Sequence, residues 1–236
     1  MCHAAKLGSL PAPGNFEKRK SGNLKFWKYK PEMKSNNKRV AILTDIYGCN
    51  EFYQSFASHL ARLGWVVNLM DIFSDLGELK ELTREAAFER RHLLRDGFIC
   101  DELNRFIATQ NISAVVGFCL GANYVLELAR RKVDVNLVGF YPFPAGLPNQ
   151  DELAVPLSYM ASLEQPVTLL MGDSDTSSGP GNIASTASIS EATDTLDAHV
   201  FVGSGHTFLG DLESQNEVLK NNAEQALAVC EKTINR

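Results

Sequence analysis

A short apolar segment that runs directly into a glycine-flanked cysteine constrains this chain more than any other feature. Residues 112–118 are mostly apolar, as in a buried strand, and the turn Gly117-Phe118-Cys119-Leu120-Gly121 leads into a helical pattern. A strand that passes into a helix through one residue holds that residue in a strained conformation and projects its side chain above the sheet. The pattern predicts that Cys119 is presented as a nucleophile. The alternative is a buried cysteine that packs as a small hydrophobic residue.

Two later strand-like segments end in an acidic turn and in a histidine. Residues 167–171 precede Gly172-Asp173-Ser174-Asp175, and residues 199–202 precede Gly203-Ser204-Gly205-His206. The order along the chain is nucleophile, acid, histidine, with room for crossover helices between successive parallel strands. Because the carboxyl ends of parallel strands meet at one edge of a sheet, we expect these residues to form a single site.

Strand-like segments alternate with amphipathic helical ones, which predicts a single-domain α/β fold with a mostly parallel central sheet and helices on both faces. A chain of 236 residues with 44% hydrophobic content can bury one such core. Residues 1–22 are rich in Lys, Gly, Ser and Pro and are predicted to form an irregular N-terminal arm before a domain of residues 23–236. Residues 24–29 are predicted to form an edge strand, and residues 174–190 a loop.

The composition argues against several classes of partner. The formal net charge of −5 and the pI near 5.6 give no basic surface for nucleic acid or an anionic membrane. We therefore expect a small-molecule substrate, and a monomer or small homo-oligomer. No stretch reads as a membrane span, and the N-terminus lacks the continuous apolar region of a secretory signal. Five scattered cysteines without metal-ligand spacing predict a reducing, cytoplasmic location: Cys2, Cys49, Cys100, Cys119 and Cys230.

Four short motifs follow the predicted strands. They are Gly-Phe-Cys-Leu-Gly around Cys119, Met171-Gly172-Asp173-Ser174-Asp175, Gly205-His206-Thr207-Phe208 and Asp45-Ile46-Tyr47-Gly48-Cys49-Asn50. Together they resemble the dienelactone hydrolase family, a cysteine-using branch of the α/β-hydrolases, and the likeness extends from about Arg39 to the C-terminus. The resemblance implies an α/β-hydrolase fold and hydrolysis of a small ester, lactone or thioester. It implies no cofactor and no metal.

The residue types of the candidate site predict covalent catalysis. A thiol near its ordinary pKa is mostly protonated at neutral pH, so Cys119 needs a base, and His206 is the candidate. The positive end of the helix that begins at Leu120 favours the thiolate further. Attack on a carbonyl gives a thioester acyl-enzyme, and water activated by His206 then hydrolyses it.

Two acids compete to orient His206, because Asp173 and Asp175 lie two residues apart in the same turn and either side chain can reach. The resemblance places the acid at Asp175. The strand-turn-helix context predicts that the backbone N–H of Leu120 donates to the oxyanion of the reaction. The resemblance adds the N–H of Ile46 as the second donor.

Asp45 stands where the resembled family has a glutamate that holds the resting thiol and takes its proton. The aspartate side chain is one methylene shorter, so two roles stay open. Asp45 either accepts the proton of Cys119 or orders its own loop. Cys49, four residues further on, is predicted to be a packing residue.

The resemblance also implies a substrate carboxylate held by two arginines. Arg84 matches the first and Phe88 stands where the family has a tyrosine, but Gly210 replaces the second arginine, so a two-point clamp is not expected. Arg84 either binds one carboxylate or is a solvated helix residue. Aromatic residues near the expected mouth predict a largely apolar pocket: Tyr47, Tyr141, Phe143 and Phe208.

Two other functions fit parts of the sequence. One is a small-molecule-binding or thiol redox-sensing protein that keeps the fold without turnover, since fold does not fix function and Asp45 and Gly210 depart from the family pattern. The other is cleavage of C–C or C–halogen bonds on the same scaffold. The cysteine argues against the latter, because haloalkane chemistry normally uses an aspartate there. A free thiol without esterase activity would favour the first.

Overall fold

One eight-stranded sheet organises the protein. The computed structural model describes residues 10–33, 35, 37–151 and 153–236. Its strands are β1 (Glu17–Ser21), β2 (Leu24–Tyr29), β3 (Arg39–Leu43), β4 (Val66–Asp71), β5 (Ala114–Phe118), β6 (Asn136–Phe140), β7 (Val167–Gly172) and β8 (Leu196–Phe201). Their spatial order is β1-β2-β4-β3-β5-β6-β7-β8. The pairs β1–β2 and β2–β4 are antiparallel and all other pairs are parallel, which confirms the predicted mostly parallel sheet.

Helices cover both faces of this sheet. They are α1 (Glu51–Arg62), α2 (Arg84–His92), α3 (Asp96–Gln110), α4 (Leu120–Arg130), α5 (Pro180–Glu191) and α6 (Glu217–Ile234). Phe56 of α1 and Cys230 of α6 belong to one buried cluster, while Leu103 of α3 and Val125 of α4 belong to a second. Because both faces are covered, every residue of β5 and β7 is buried. This is the expected α/β-hydrolase fold in a single domain. In the described ranges, no helix combines the length and the apolar character needed to cross a membrane.

The carboxyl ends of four parallel strands lead into the predicted site residues. Asp45 follows β3, Cys119 follows β5, Asp175 follows β7 and His206 follows β8. Because these strands run in the same direction, their carboxyl ends lie along one edge of the sheet. The sheet therefore gathers residues that are far apart in the sequence.

Part of the predicted N-terminal arm is a strand. Residues 17–21 form β1, which pairs with β2 across a turn at Gly22, whose φ is 58°. The second strand consequently lies inside the sheet, so its prediction as an edge strand was also wrong. The sequence hid β1 because its central residues are exposed cations, and antiparallel pairing needs only their backbone groups. Residues 10–16 have no regular secondary structure, and residues 1–9 of the predicted arm lie outside the described residues.

Helix α5 occupies much of the segment predicted as a loop. It begins at Pro180, a residue well suited to the first turn of a helix because its fixed φ is helical and its missing N–H needs no partner. Its buried residues are Ile183 and Thr186, set among Ser, Gly and Ala. The helix therefore shows almost no apolar stripe, and the periodicity on which the prediction depended was absent.

Candidate active site

Cys119 lies at the junction of β5 and α4 in a conformation that residues with a side chain rarely adopt. Its φ is 54° and its ψ is −112°. Its N–H donates to the carbonyl of Phe140 at 3.0 Å, and its carbonyl accepts the N–H of Ala122 at 3.1 Å. The predicted strand-turn-helix geometry is confirmed. Although only 2% exposed, Cys119 forms part of the wall of a cavity, as expected for a presented thiol.

Two glycines allow this turn to close. A Cβ on Gly117 would overlap the carbonyl group of Gly121, and a Cβ on Gly121 would overlap that of Leu43. The N–H of Gly121 donates to the carbonyl of Thr44 at 3.1 Å. The start of α4 is therefore fastened to the loop after β3, which brings the two predicted oxyanion donors onto adjoining segments.

The turn after β7 brings Asp175, and not Asp173, to the histidine. Asp175 Oδ2 lies 2.6 Å from His206 Nδ1, and the side chains of Asp175 and His206 are 1% and 9% exposed. Asp173 Oδ1 instead accepts the N–H of Gly203 at 2.7 Å and the hydroxyl of Ser174 at 3.0 Å. Of the two acids that the sequence left open, Asp175 is the one that contacts His206.

Asp175 is surrounded by donors that the sequence did not reveal. The N–H groups of Ser177 and Ser178 donate to its Oδ1 at 2.8 and 3.0 Å, and the Ser178 hydroxyl donates to Oδ2 at 2.8 Å. Burial raises the pKa of this carboxyl, but the contacts with His206 and Ser178 outweigh burial and hold the pKa of Asp175 below its ordinary value. The carboxylate is therefore charged at neutral pH and can stabilise a protonated imidazole.

The Cys119 thiol and the His206 ring share one cavity of about 290 Å³. The ring of His206 packs against Tyr141 and Phe143, with both centroid distances at 5.2 Å. Four other lining residues were predicted from the sequence: Ile46, Tyr47, Arg84 and Phe88. Five further lining residues were not predicted: Arg91, His92, Leu147, Pro148 and Ser177. The structure thus brings most of the predicted site together, with Asp175 behind the histidine.

Asp45 is fully buried within the loop that carries the second predicted oxyanion donor. Its Oδ1 accepts the N–H of Tyr47 at 2.8 Å, and its own N–H donates to the Tyr53 hydroxyl at 3.3 Å. A carboxylate that accepts the N–H two residues further on forms an Asx-turn, which fixes a loop. The geometry supports the loop-ordering role. The role as proton acceptor stays a prediction.

Arg90, which the sequence analysis did not single out, holds this loop from α2. Its Nη2 donates to the carbonyl of Ile46 and its Nη1 to the carbonyl of Gly77, both at 3.0 Å. The guanidinium lies over the ring of Phe73 at 3.9 Å. The loop with the predicted N–H donor of Ile46 is therefore restrained by Arg90 as well as by Asp45.

Arg84 lies at the exposed side of the cavity, with its guanidinium 5.3 Å from the centre of the Phe88 ring. Gly210 belongs to a short 3₁₀ helix, Phe208–Glu213, and its N–H donates to the carbonyl of Thr207 at 2.8 Å. Because solvent and salt screen an exposed charge, Arg84 offers a substrate anion only a weak attraction. Four residues further along α2, Phe88 is exposed and supplies an apolar surface.

The other described cysteines differ from Cys119 in their surroundings. Burial, reinforced by the charge of Asp71, raises the pKa of the Cys49 thiol well above its ordinary value, and burial also raises the pKa of Cys100 and Cys230. Cys49 Sγ donates to the carbonyl of Met70 at 3.4 Å, in agreement with its predicted packing role. None of these thiols is a reactive thiolate at neutral pH.

The chain is similar to known proteins over most of its length. Residues 26–235 match the dienelactone hydrolase family. Carboxymethylenebutenolidase 2 of Cupriavidus pinatubonensis is 45% identical over 192 residues, which cover 81% of this chain and 82% of that protein. Carboxymethylenebutenolidase of Rhodococcus opacus is 28% identical over 182 residues, which cover 75% of this chain and 72% of that protein.

Solved structures share the fold at low sequence identity. A candidate dienelactone hydrolase from Klebsiella pneumoniae has a TM-score of 0.78 at 15% identity, covering 94% of this chain and 98% of that one. Thermogutta terrifontis esterase 2, solved after phosphorylation by paraoxon, has a TM-score of 0.66 at 14% identity, covering 95% of this chain and 96% of that one. At these identities the likeness shows the architecture alone.

Proposed function

We propose, since the chain belongs to the dienelactone hydrolase family and is an ester hydrolase of that kind, that it cleaves small esters, lactones or thioesters through Cys119, His206 and Asp175. One observation carries this proposal. The Cys119 thiol and the His206 ring line a single cavity, and Asp175 Oδ2 lies 2.6 Å from His206 Nδ1. Asp175 thus contacts Nδ1, whereas a histidine that acts as base on Cys119 uses its other ring nitrogen, Nε2.

The proposed reaction begins with activation of the thiol. His206 accepts the proton of Cys119 at Nε2, because Nδ1 is engaged by Asp175, and the carboxylate stabilises the imidazolium. The positive end of α4, which begins at Leu120, lowers the free energy of the thiolate. The sulfur then forms a bond to the substrate carbonyl carbon, while the π electrons of the carbonyl move to its oxygen.

The resulting oxyanion accepts hydrogen bonds from the backbone N–H groups of Leu120 and Ile46. Its collapse breaks the bond to the leaving oxygen or sulfur, which takes the proton from His206, and an acyl thioester stays on Cys119. Water then gives a proton to His206 and attacks the thioester. Release of the acid returns the proton to the thiol. In a lactone the leaving hydroxyl belongs to the acyl group, so a single hydroxy acid is produced.

The cavity favours a small substrate with an apolar body. Its volume is about 290 Å³, and aromatic and aliphatic side chains such as Tyr47, Phe88 and Leu147 form much of its wall. Both relatives described above are named carboxymethylenebutenolidase, and these names support a small lactone as the substrate. None of the described cysteines forms a disulfide, which supports a reducing compartment such as the cytoplasm as the site of action.

Trapping of the acyl-enzyme tests this proposal. We expect a p-nitrophenyl acetate reaction, quenched with acid during its first turnover, to show the mass of one acetyl group on the peptide that contains Cys119. Cys119→Ala supplies the control and should show no acetylated peptide. Acetylation of Cys49 instead would assign the nucleophile elsewhere. A wild-type protein that releases no p-nitrophenol from any activated ester would favour the binding or redox-sensing alternative.

Asp45→Asn separates the two roles that the sequence left open for Asp45. The amide keeps an oxygen to accept the N–H of Tyr47, so we expect kcat/KM to fall less than about tenfold, by the same factor from about pH 6 to pH 9. The pH profiles of wild type and variant measure this. A loss that shrinks as the pH approaches the thiol pKa would assign Asp45 as the proton acceptor, because the thiolate then forms without help.

A further inference from the structure

The peptide units that follow β3 are held by hydrogen bonds to several parts of the protein. The carbonyl of Thr44 accepts the N–H of Gly121 at 3.1 Å, and the N–H of Asp45 donates to the Tyr53 hydroxyl at 3.3 Å. The peptide unit between Thr44 and Asp45 is therefore bonded at both ends. In the next unit, the carbonyl of Asp45 accepts the N–H of Gly48 at 3.2 Å.

The N–H of Ile46 is the exception in this loop. Ile46 is 5% exposed and lines the catalytic cavity, and among the described residues its N–H makes no hydrogen bond. A buried N–H group without an acceptor is rare, because it raises the free energy of the folded state. This observation supports the predicted role of the Ile46 N–H as a donor to an oxyanion in the cavity.

Arg90 fixes the peptide unit that joins Ile46 to Tyr47. Its Nη2 donates to the carbonyl of Ile46 at 3.0 Å, while the N–H of Tyr47 donates to Asp45 Oδ1 at 2.8 Å. Because a peptide unit is planar, hydrogen bonds at both ends fix its orientation. The unit that carries the Ile46 N–H thus lies between two fixed units, and they determine the direction in which this N–H points.

The guanidinium of Arg90 is anchored outside the loop that it holds. Its Nη1 donates to the carbonyl of Gly77 at 3.0 Å, and the group lies 3.9 Å from the centre of the Phe73 ring, which is fully buried. Both Phe73 and Gly77 belong to the segment after β4. Because these contacts do not depend on the loop, Arg90 can determine the position of Ile46 instead of following it.

We propose that Arg90 is a positioning residue of the hydrolase, which holds the peptide unit between Ile46 and Tyr47 so that the Ile46 N–H is directed at the oxyanion. The inference rests on the proposed function, because an oxyanion forms only when Cys119 attacks a carbonyl. Arg90 itself does not touch the substrate. It acts on the transition state through the backbone of Ile46, so its loss should slow the attack on a carbonyl and no other reaction of the thiol.

Two reactions of Cys119 separate this role from general damage to the site. Attack on p-nitrophenyl acetate passes through an oxyanion, and kcat/KM for release of p-nitrophenol measures the acylation step. Exchange with 2,2′-dipyridyl disulfide forms none. There the Cys119 sulfur bonds to one sulfur of the reagent, and the S–S bond breaks to release pyridine-2-thiolate. The ratio of the two rate constants, with Cys119→Ala as the blank, reports the oxyanion donors separately from activation of the thiol.

Arg90→Met is the decisive variant, because methionine keeps an apolar contact with Phe73 but donates no hydrogen bond. We expect acylation to fall about tenfold to a hundredfold, somewhat less than loss of a complete oxyanion donor costs, and disulfide exchange to stay within about twofold of wild type. Arg62→Met is the matched control. Arg62 is exposed, pairs with Glu32 and lies at the end of α1 outside the cavity, so both rate constants should stay within about twofold of wild type.

Equal losses in the two reactions, or acylation at the wild-type rate, would overturn the proposal. If circular dichroism shows that Arg90→Met is unfolded, Arg90→Lys decides instead. Its ratio should still fall at least about threefold, because an ammonium group does not bridge the carbonyls of Ile46 and Gly77 as a planar guanidinium does. An unchanged ratio in a folded Arg90→Lys would refute the role of Arg90 alone. Failure of wild type to acylate Cys119 would refute the proposed function as well.

Discussion

Cys119→Ala is expected to lower kcat/KM for a p-nitrophenyl ester by at least about 10³-fold while the protein stays folded. Alanine removes the sulfur and keeps the Cβ, so the turn that Phe140, Gly117 and Gly121 hold in place is not disturbed. Without the thiol no thioester forms, and only substrate binding and the oxyanion donors remain. Steady-state hydrolysis measures the loss, and thermal unfolding followed by circular dichroism shows whether the fold is intact.

Cys49→Ala is the matched control for this prediction. Cys49 lies near the site and forms no disulfide, but its raised thiol pKa and its contact with the Met70 carbonyl describe a packing residue. Its variant should retain hydrolysis close to that of wild type. If Cys119→Ala kept more than about a tenth of wild-type kcat/KM, a difference of only ~1.4 kcal/mol, covalent catalysis by Cys119 would be refuted.

Asp175→Asn is expected to lower kcat by about 10⁴-fold, as the same change of the triad aspartate does in a serine protease. The amide allows His206 to adopt the tautomer with its proton on the wrong nitrogen, and it gives no negative charge to the imidazolium. The N–H donors of Ser177 and Ser178 can still bond to the amide oxygen, so the turn should persist. Measurement of kcat at saturating substrate isolates this effect from binding.

Asp173→Asn is the comparison variant, since Asp173 lies in the same turn and has the same chemistry. Its side chain accepts the N–H of Gly203, a bond that an amide oxygen also makes, so we expect kcat to fall less than about tenfold. The two variants carry the same change in charge and lie two residues apart. The reverse ranking would move the triad acid to Asp173.

The stability of Asp175→Asn against pH distinguishes a lost charge from a damaged fold. The pKa of Asp175 is lowered in the folded protein. At a pH near this pKa the unfolded chain therefore binds more protons than the folded protein does. Its contribution to the free energy of unfolding is complete above the unfolded value of about 3.9 and disappears as the pH falls through the folded value. The difference in stability between wild type and variant should therefore shrink in acid.

The sequence predicted the turn at Cys119 correctly, because that turn depends on local backbone geometry. The glycines that flank Cys119 are required by contacts within one turn and its nearest strand, so their spacing alone indicates the elbow. The choice between Asp173 and Asp175 did not follow from the residues, because both fit the turn equally. It depends on how the loops after β7 and β8 pack together, which is a tertiary property.

The residues that sequence reasoning missed are those whose role depends on distant contacts. Arg90 and Arg91 are neighbours on α2, yet one holds the carbonyl of Ile46 and the other pairs with Asp96 in the interior. A charged residue on a short helix usually faces solvent, so nothing in the local pattern distinguished either one. Ser178 likewise gains its role from the fold, which places its hydroxyl and N–H around the Asp175 carboxylate.

The run Lys18-Arg19-Lys20, which hid β1 in the sequence, bears on how two molecules of this protein meet. The outer edge of a sheet presents backbone N–H and C=O groups to any strand that comes alongside, and this is a common route to aggregation. β1 forms one such edge, and the side chains of its central residues are exposed cations. An incoming strand would have to pass along these cations and displace their water. The positive charges of these residues thus oppose growth of this edge of the sheet into a β-aggregate.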